Sequence, residues 1–215
     1  MMFSNNLWRK MMLVISIAIV SLPIAGYAHE RSDTEQIEAL ISCYAKGTDT
    51  IGDGKTQTDP EAAGLAIYRQ CFTEDATFAV WYFGMPFDSL TFPSRAGDKP
   101  PAMMVKGVAA WAQSTNTAFR GAGGTGYDFV QHNISNVDVA VTGDSGQLTA
   151  YLSSVHIIQG PAAFAPTRCR QQVNGTYSLR LKKVAGQWKI VSLDLAQISV
   201  DSVVENGAGC SAPSI

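Results

Sequence analysis

The side chains best suited to proton transfer near neutral pH are the histidines, because an imidazole changes its charge in that range. The sequence holds three, His29, His132 and His156. The last two are predicted to lie on strands, where side chains alternate between faces, and their period-two neighbours are apolar: Val130, Ile134, Leu148, Leu152 and Ile158. Both rings are therefore predicted to point into the interior. A core imidazole bonded to a backbone carbonyl is the alternative for either ring, but two on sequential strands favour a site.

A phenol and a carboxylate near the end of the first predicted helix are candidates to complete that site. Tyr44 lies on the apolar stripe of the helix, and Asp49 follows just beyond the helix end, which the spacing places near Gly47. A carboxylate beside an imidazole fixes its tautomer and raises its basicity, as a general base requires. Asp49 is therefore the candidate partner of a histidine. The alternative, a solvated loop carboxylate, fits the spacing equally well.

Helices and one strand are predicted to position these residues in the first half of the chain. Apolar residues at helical spacing follow a possible N-cap at Ser32 or Asp33. The predicted elements are a helix over residues 34–47, a helix over 61–72, a strand over 75–83, a proline-rich loop over 84–101 and a helix over 103–119. The helices thus precede most of the sheet.

The second half of the chain is predicted to be β-structure. Period-two patterns separated by turn residues predict four long strands, over residues 127–141, 147–159, 170–184 and 187–200. Long strands with few helices to cover them imply an α+β fold, a cone-shaped cup in which three N-terminal helices pack on a strongly curved, mainly antiparallel sheet. Such a cup leaves a concave cavity for a small molecule.

The N-terminus is predicted to be a secretory signal. Basic residues precede an apolar run of about 14 residues and a small-residue cleavage site at Ala28. An uncleaved membrane anchor is the weaker alternative, because crossing a bilayer takes roughly 20 apolar residues. Removing residues 1–28 from the 215 leaves residues 29–215. We interpret them as a single exported domain, periplasmic or secreted, with a core over about 32–200 and a Gly-rich C-terminal tail.

The charge pattern narrows the class of partner. The net charge is −2, and no long run of Lys or Arg follows the signal. Nucleic-acid and polybasic membrane surfaces need concentrated positive charge, so we expect neither nucleic-acid binding nor stable membrane association after signal removal. A small neutral or weakly charged ligand suits this balance better.

The cysteines are predicted to form disulfides. Four are present, Cys43, Cys71, Cys169 and Cys210, and an even number in an exported chain favours disulfides over metal ligands. Three pairings are possible. We favour Cys43 with Cys71, which lie in neighbouring predicted helices, and Cys169 with Cys210, which would tie the tail to the sheet. No Cys-x-x-Cys spacing predicts a zinc or redox site, so no metal is expected.

Aromatic residues around the proline-rich loop are candidates to contact a ligand. Trp81, on the predicted strand, is a pocket candidate that fits core packing better. Phe87 and Phe92 lie in the loop itself and are candidates for a lid.

Several segments together resemble the SnoaL-like, nuclear transport factor 2-like group that contains scytalone dehydratase and bile-acid 7α-dehydratase. Besides Tyr44 and Asp49, the resemblance rests on the segments 71–76 (CFTEDA), 131–136 (QHNISN) and 182–190 (KKVAGQWKI), and it covers about residues 32–200. It implies the cup-shaped fold described above. Relatives that pair through the outer sheet face imply a homodimer.

The resemblance also implies roles for individual residues. The bile-acid enzyme has a helix-one Tyr, an Asp five residues later and a strand His, which Tyr44, Asp49 and His132 match. Scytalone dehydratase has an Asp and two strand histidines, and Asp49, His132 and His156 fall there. Where that enzyme has an Asn on the fourth strand, this chain has Tyr177, a candidate ligand contact.

The implied activity is a cofactor-independent dehydratase (lyase) or isomerase of a small cyclic or aromatic hydroxy-ketone. His132, oriented by Asp49, would remove a proton beside a carbonyl, while Tyr44 or His156 assists the departing hydroxyl. The group also includes proteins that only bind, because one fold supports many functions. The alternative is therefore a non-catalytic periplasmic binding or assembly protein. A close approach of Asp49 to His132 inside an open cavity would favour the enzyme.

Overall fold

Three helices and six strands make up the part of the chain that the structure, a computed structural model, describes: residues 31–82, 100–120, 126–158 and 169–204. In chain order the elements are α1 (Asp33–Gly52), α2 (Pro60–Cys71), β1 (Phe72–Trp81), β2 (Met103–Lys106), α3 (Val108–Arg120), β3 (Phe129–Thr142), β4 (Ser145–Ile158), β5 (Cys169–Val184) and β6 (Gln187–Val204). The predicted signal over residues 1–28, the loop aromatics and the Gly-rich tail lie outside the described residues. Among the described residues, no helix is long and apolar enough to cross a membrane.

The helix α1 begins as predicted but ends later. Ser32 is its N-cap and forms a capping box with Glu35. The predicted end near Gly47 is wrong, because α1 continues to Gly52 and so includes Asp49. Gly47 does not terminate the helix: it provides room for α2, since a Cβ there would lie 2.5 Å from the Tyr68 ring.

Contacts at both ends fix α1 against the rest of the fold. At its start, the Asp33 carboxylate accepts hydrogen bonds from Lys183 Nζ at 2.7 Å and Trp188 Nε1 at 2.8 Å. At its end, Arg120 of α3 donates from Nη2 to the Ile51 carbonyl at 2.5 Å. Side chains on α1 are thereby held at a defined position over the sheet.

The third helix is shorter than predicted. Met103–Lys106 is not helical but forms β2, which pairs antiparallel with β1. Gly107 then adopts a φ of +97°, and α3 begins at Val108. Four residues paired at a sheet edge have too little pattern to separate them from the helix that follows.

The sheet has the strand order β2-β1-β6-β5-β4-β3. The β1 and β6 strands are parallel, and all other neighbours are antiparallel. Register shifts between Ser135 and Asp138 and between Asn174 and Gly175 interrupt the ladders, and such bulges increase local twist. The predicted α+β fold, three helices on a curled and mainly antiparallel sheet, is confirmed.

The core lies between the helices and one face of the sheet. Its fully buried side chains come from α1, α2 and the inward positions of the strands, with Phe78, Leu148, Leu179 and Leu193 as examples. The predicted disulfide between Cys43 and Cys71 is confirmed and ties α1 to the end of α2. Cys169, at the start of β5, is disulfide-bonded as well. Cys210 lies outside the described residues, so its pairing stays a prediction.

Candidate functional site

A cavity of about 90 Å³ lies between α1, α3 and the concave face of the sheet. Most of its lining is apolar, with Val80, Leu152, Val173 and Leu195 as examples. Side chains with a polar group interrupt this lining at Tyr44, Thr48, Tyr82, Trp111, Ser114, Thr115, His132, Ser154, His156, Tyr177 and Gln197. A mainly apolar cavity with a few convergent polar groups is typical of a small-molecule site.

Asp49 forms a close pair with His132, whose ring lines this cavity. Asp49 Oδ1 lies 2.7 Å from His132 Nδ1 and accepts a second hydrogen bond from the His132 backbone N–H at 2.9 Å. With Nδ1 donating its proton to the carboxylate, Nε2 is the basic nitrogen of the neutral ring. The His132 side chain is 6 % exposed and that of Asp49 is 30 % exposed. The pair therefore has the orientation of a general base.

The same pair also borders an outer cleft of about 540 Å³ between α1 and β3. Lys46, Asp53 and Gln57 line this cleft together with Asp49 and His132. His132 thus lines both the cavity and the cleft, whereas Asp49 lines the cleft. The carboxylate side of the pair is the more exposed one.

His156 lies diagonally across the strand pair from His132. In the β3–β4 register, Val130 faces His156 and His132 faces Ser154, and the two imidazole centroids are 6.2 Å apart. Burial, reinforced by the charge of His132, lowers the pKa of His156 to about 3. His156 is therefore neutral at physiological pH. Its ring packs edge-on against Phe119 and Tyr127.

Tyr44 projects from α1 and lines the same cavity as His132. Its ring stacks on Tyr68 at 5.8 Å and meets the edge of Tyr177 at 5.4 Å. Burial raises the pKa of Tyr44 to about 12. The phenol consequently keeps its proton at neutral pH and can act as a hydrogen-bond donor.

The predicted ligand contacts are only partly found at the cavity. Tyr177 is fully buried and lines it. Trp81 does not line the cavity. Its neighbours Val80 and Tyr82 do, and because side chains alternate along a strand, Trp81 lies on the opposite face of the sheet. There it packs with Ala79 and Ala196. Its interpretation as a ligand contact is therefore corrected to a packing role. Phe87 and Phe92 lie outside the described residues.

Two cavity residues on α3, Trp111 and Thr115, were missed by the sequence analysis. They are 5 % and 6 % exposed and lie four residues apart, so they share one face of the helix. The spacing was visible in the sequence, but a helical stripe of that kind is equally expected of core residues. Within the described residues, no group of three or more His, Cys, Asp or Glu side chains could hold a metal ion.

Comparison with known proteins adds family information to this geometry. Residues 29–194 match the family model described as the SnoaL-like domain, which is more than half of the chain. A search of the curated proteins finds no match to the sequence.

Solved structures share the fold at low sequence identity. The Kfla4162 protein from Kribbella flavida is 19 % identical, with a TM-score of 0.51 over 79 % of this chain and 93 % of that one. A hexachlorocyclohexane dehydrochlorinase (LinA, type 2) is 14 % identical, with a TM-score of 0.52 over 85 % and 95 %. A nuclear transport factor 2-like superfamily protein from Salmonella enterica is 13 % identical, with a TM-score of 0.50 over 81 % and 95 %.

Proposed function

The chain belongs to the SnoaL-like family, and from that premise we propose that it is a cofactor-independent lyase or isomerase of a small cyclic or aromatic hydroxy-ketone. The observation that carries the proposal is the 2.7 Å contact between Asp49 and His132, whose ring lines the cavity. A similarly folded protein bears the name of a dehydrochlorinase, which is an elimination enzyme. The contact favours chemistry over simple binding, because binding requires no oriented base.

In the proposed elimination, His132 Nε2 takes a proton from the carbon beside the ketone. The electrons of that C–H bond form the new double bond, and the C–O bond at the next carbon breaks. The oxygen leaves with the bonding electrons and takes up the proton that His132 holds, so that the products are an enone and water. Asp49 stabilises the imidazolium between the two steps.

The roles of Tyr44 and His156 can be separated by their protonation. An acid must hold a proton at neutral pH, which the Tyr44 hydroxyl does because burial raises its pKa to about 12. His156 is neutral, since its pKa is lowered to about 3, so it cannot supply a proton as an imidazolium. We therefore assign to Tyr44 the hydrogen bond to the carbonyl or departing oxygen, and to His156 a contact with the substrate.

Substrates without a leaving group distinguish the two reaction classes. If the substrate is a ring ketone that has a β,γ double bond instead of the hydroxyl, His132 can remove a proton from the α-carbon and return it to the γ-carbon, so that the double bond shifts to the α,β position. The same base then acts as an isomerase. The reaction class thus depends on the substrate, while the base and its partner stay the same.

The first experiment follows water loss from 3-hydroxycyclohexanone and 3-hydroxycyclopentanone by the ultraviolet absorbance of the enone and by mass spectrometry. We expect turnover in the native chain and a loss of about 10²–10⁴-fold in His132→Gln, the usual contribution of a general base. Asp138→Asn, an exposed carboxylate on the same strand, is the matched control and should keep full activity.

The opposite results would favour the other class of function. Binding of these ketones without turnover, and with the same affinity in His132→Gln, would identify the chain as a non-catalytic binding or assembly protein. If turnover is unaffected in His132→Gln, the pair formed by Asp49 and His132 is not the catalytic base.

Export is a further part of the proposal. It is supported by the disulfide between Cys43 and Cys71, because disulfides persist in oxidising compartments, and by the predicted signal over residues 1–28. The mass of the protein recovered from the native cell should correspond to a chain that starts at His29. A chain that retains Met1 would contradict export by cleavage.

A further inference from the structure

Four buried polar atoms around the cavity make no hydrogen bond of normal geometry within the described part of the chain. They are Trp111 Nε1, Thr115 Oγ1, His156 Nδ1 and Tyr177 Oη, and all four residues line the cavity. A buried polar group without a partner costs about 1–3 kcal/mol, and native proteins leave few such groups. Their grouping around one cavity therefore indicates that its occupant supplies hydrogen bonds.

Three of these atoms lie away from the reactive pair. The Trp111 ring stacks on Phe78 at 4.7 Å, and Tyr177 contacts Tyr44 at 5.4 Å. Tyr44 precedes Asp49 by five residues on α1, which is about 7.5 Å along a helix axis. The cavity thus has one polar end at His132 and another at Trp111, Thr115 and Tyr177.

The protein itself does not fully satisfy the second polar end. The side chains of Trp111 and Thr115 both face the Tyr68 hydroxyl, which is already bonded to Thr48 Oγ1 at 2.7 Å. The buried Tyr177 hydroxyl has Tyr44 as its neighbour, and His156 has Gln171, but neither contact has the geometry of a full hydrogen bond. Indole N–H and hydroxyl groups together provide donors and acceptors without a formal charge.

The lining also restricts the charge of the occupant. Among the described residues that line the cavity, none is Lys, Arg, Asp or Glu. A carboxylate or ammonium group at the second polar end would therefore lose its hydration without gaining a charged partner there. An uncharged oxygen, as in a hydroxyl or a carbonyl, fits the available groups.

From these observations we propose that the ligand is an uncharged ring compound that carries, across the ring from the oxygen functions that react at His132, a further oxygen function bound by Tyr177 Oη, Thr115 Oγ1 and Trp111 Nε1. The inference rests on the proposed function only in one respect, namely the assignment of the end of the ligand that reacts. Tyr177, Thr115 and Trp111 are specificity-determining residues and take no part in proton transfer.

The test compares three probes by isothermal titration calorimetry: cyclohexanone, 4-hydroxycyclohexanone and cyclohexane-1,4-dione. We expect the two-oxygen probes to bind at least about tenfold more tightly than cyclohexanone, which corresponds to about one additional hydrogen bond. In Thr115→Val and Tyr177→Phe this preference should fall toward onefold, while the affinity for cyclohexanone stays unchanged. Equal affinity for all three probes, or no detectable binding of the two-oxygen probes, would overturn the proposal.

Matched variants separate the second polar end from general effects. Thr117→Val is the control on α3, because Thr117 is exposed and bonds to the Gln113 carbonyl. Tyr151→Phe is the control on β4, where Tyr151 is 55 % exposed. Both controls should keep the preference for two oxygens, and loss of the preference in either would overturn the assignment.

Two further readouts keep this test independent of catalysis and folding. Asp49→Asn should abolish turnover and leave the preference intact, so failure of the proposed reaction and failure of the second polar end give different results. The ligand-free Thr115→Val and Tyr177→Phe proteins should melt at a higher temperature than the native chain, because each removes an unpaired buried polar atom. A lower melting temperature in both would mean that these hydroxyls are already satisfied, and would overturn the proposal.

Discussion

The Asp49 carboxylate accepts two hydrogen bonds from His132, one from the backbone N–H and one from the ring Nδ1. The backbone contact fixes the carboxylate against β3, and the ring contact fixes the imidazole against the carboxylate. His132 therefore needs no rearrangement to present Nε2 to the cavity. Preorganisation of this kind is worth most where the reacting groups are shielded from water.

The geometry predicts the tautomer of His132. In the native chain, long-range ¹H–¹⁵N spectra of the neutral ring should show the proton on Nδ1 and none on Nε2. Asp49→Asn keeps an acceptor oxygen without its charge, so the same tautomer is expected. Asp49→Leu removes the acceptor and should give a mixture of both tautomers. A native spectrum with the proton on Nε2 would contradict the proposed base.

Part of the site was predictable because its residues carry strong local signals. The period-two neighbours of His132 and His156 placed both rings on the inner face of adjacent strands, and the structure brings them within 6.2 Å of one another. Trp111 and Thr115 could not be recognised, because cavity and core positions share the same helical spacing. Trp81 is displaced from the cavity by strand alternation, which depends on where the strand begins.

At the scale of elements, a pair of glycines decides how closely α1 and α2 approach. A Cβ at Gly47 would overlap the Tyr68 ring, and a Cβ at Gly64 would lie 2.2 Å from Ile51 Cγ1 and 2.8 Å from the Gly47 carbonyl oxygen. The close crossing allows Tyr68 to stack on Tyr44. Helix spacing and site geometry therefore depend on the same two residues.

Gly64→Ala tests this dependence. Helix propensity alone would stabilise the variant by about 1 kcal/mol, whereas overpacking of a tight contact costs about 1–3 kcal/mol. We expect the overpacking to dominate, so that urea denaturation shows a net loss of stability. Ala66→Gly, at an exposed position on the same helix, is the control and should lose about 1 kcal/mol by propensity alone. A more stable Gly64→Ala protein would show that the crossing is loose.

The disulfide between Cys43 and Cys71 is the second constraint on these helices. It closes a loop with a sequence separation of 28 residues, for which chain entropy gives roughly 3–4 kcal/mol of stability. The double variant Cys43→Ser with Cys71→Ser should lose about this amount in chemical denaturation. Because Cys43 adjoins Tyr44, turnover should also fall in the folded variant. Unchanged stability would mean that the helix crossing alone holds α1 and α2 together.

For the whole molecule, the four long antiparallel strands were predictable from alternation and turns, and with them the fold class. The parallel pairing of β1 with β6 was not, because the two strands are separated by more than 100 residues and no local pattern records their register. The edge strand β2 was not predicted either, because its four residues lie immediately before α3 and are too few to show a pattern of their own. Long-range pairing and short edge elements thus mark the limit of what the sequence alone could predict.

The cavity also affects the stability of the whole molecule through His156. Burial lowers the pKa of this imidazole from 6.5 to about 3 in the folded state, whereas the unfolded chain titrates near 6.5. Between these values the unfolded state binds more protons, so stability is complete above about pH 6.5 and falls as the pH drops toward 3. From pH 7 to pH 5 the loss attributable to this group is about 2 kcal/mol. Because carboxylates also titrate in this range, the contribution of His156 is obtained by comparing the native chain with a variant that lacks this imidazole.

Urea denaturation at pH 7 and pH 5 supplies that comparison. The native chain should lose about 2 kcal/mol more between the two pH values than His156→Gln, whose amide does not titrate. Tyr177→Phe changes the same cavity without changing a group that titrates in this range, so its pH dependence should match that of the native chain. If His156→Gln kept the full native dependence, the folded protein would have to accept a proton at His156. The cavity would then be wetter and more polar than its lining indicates.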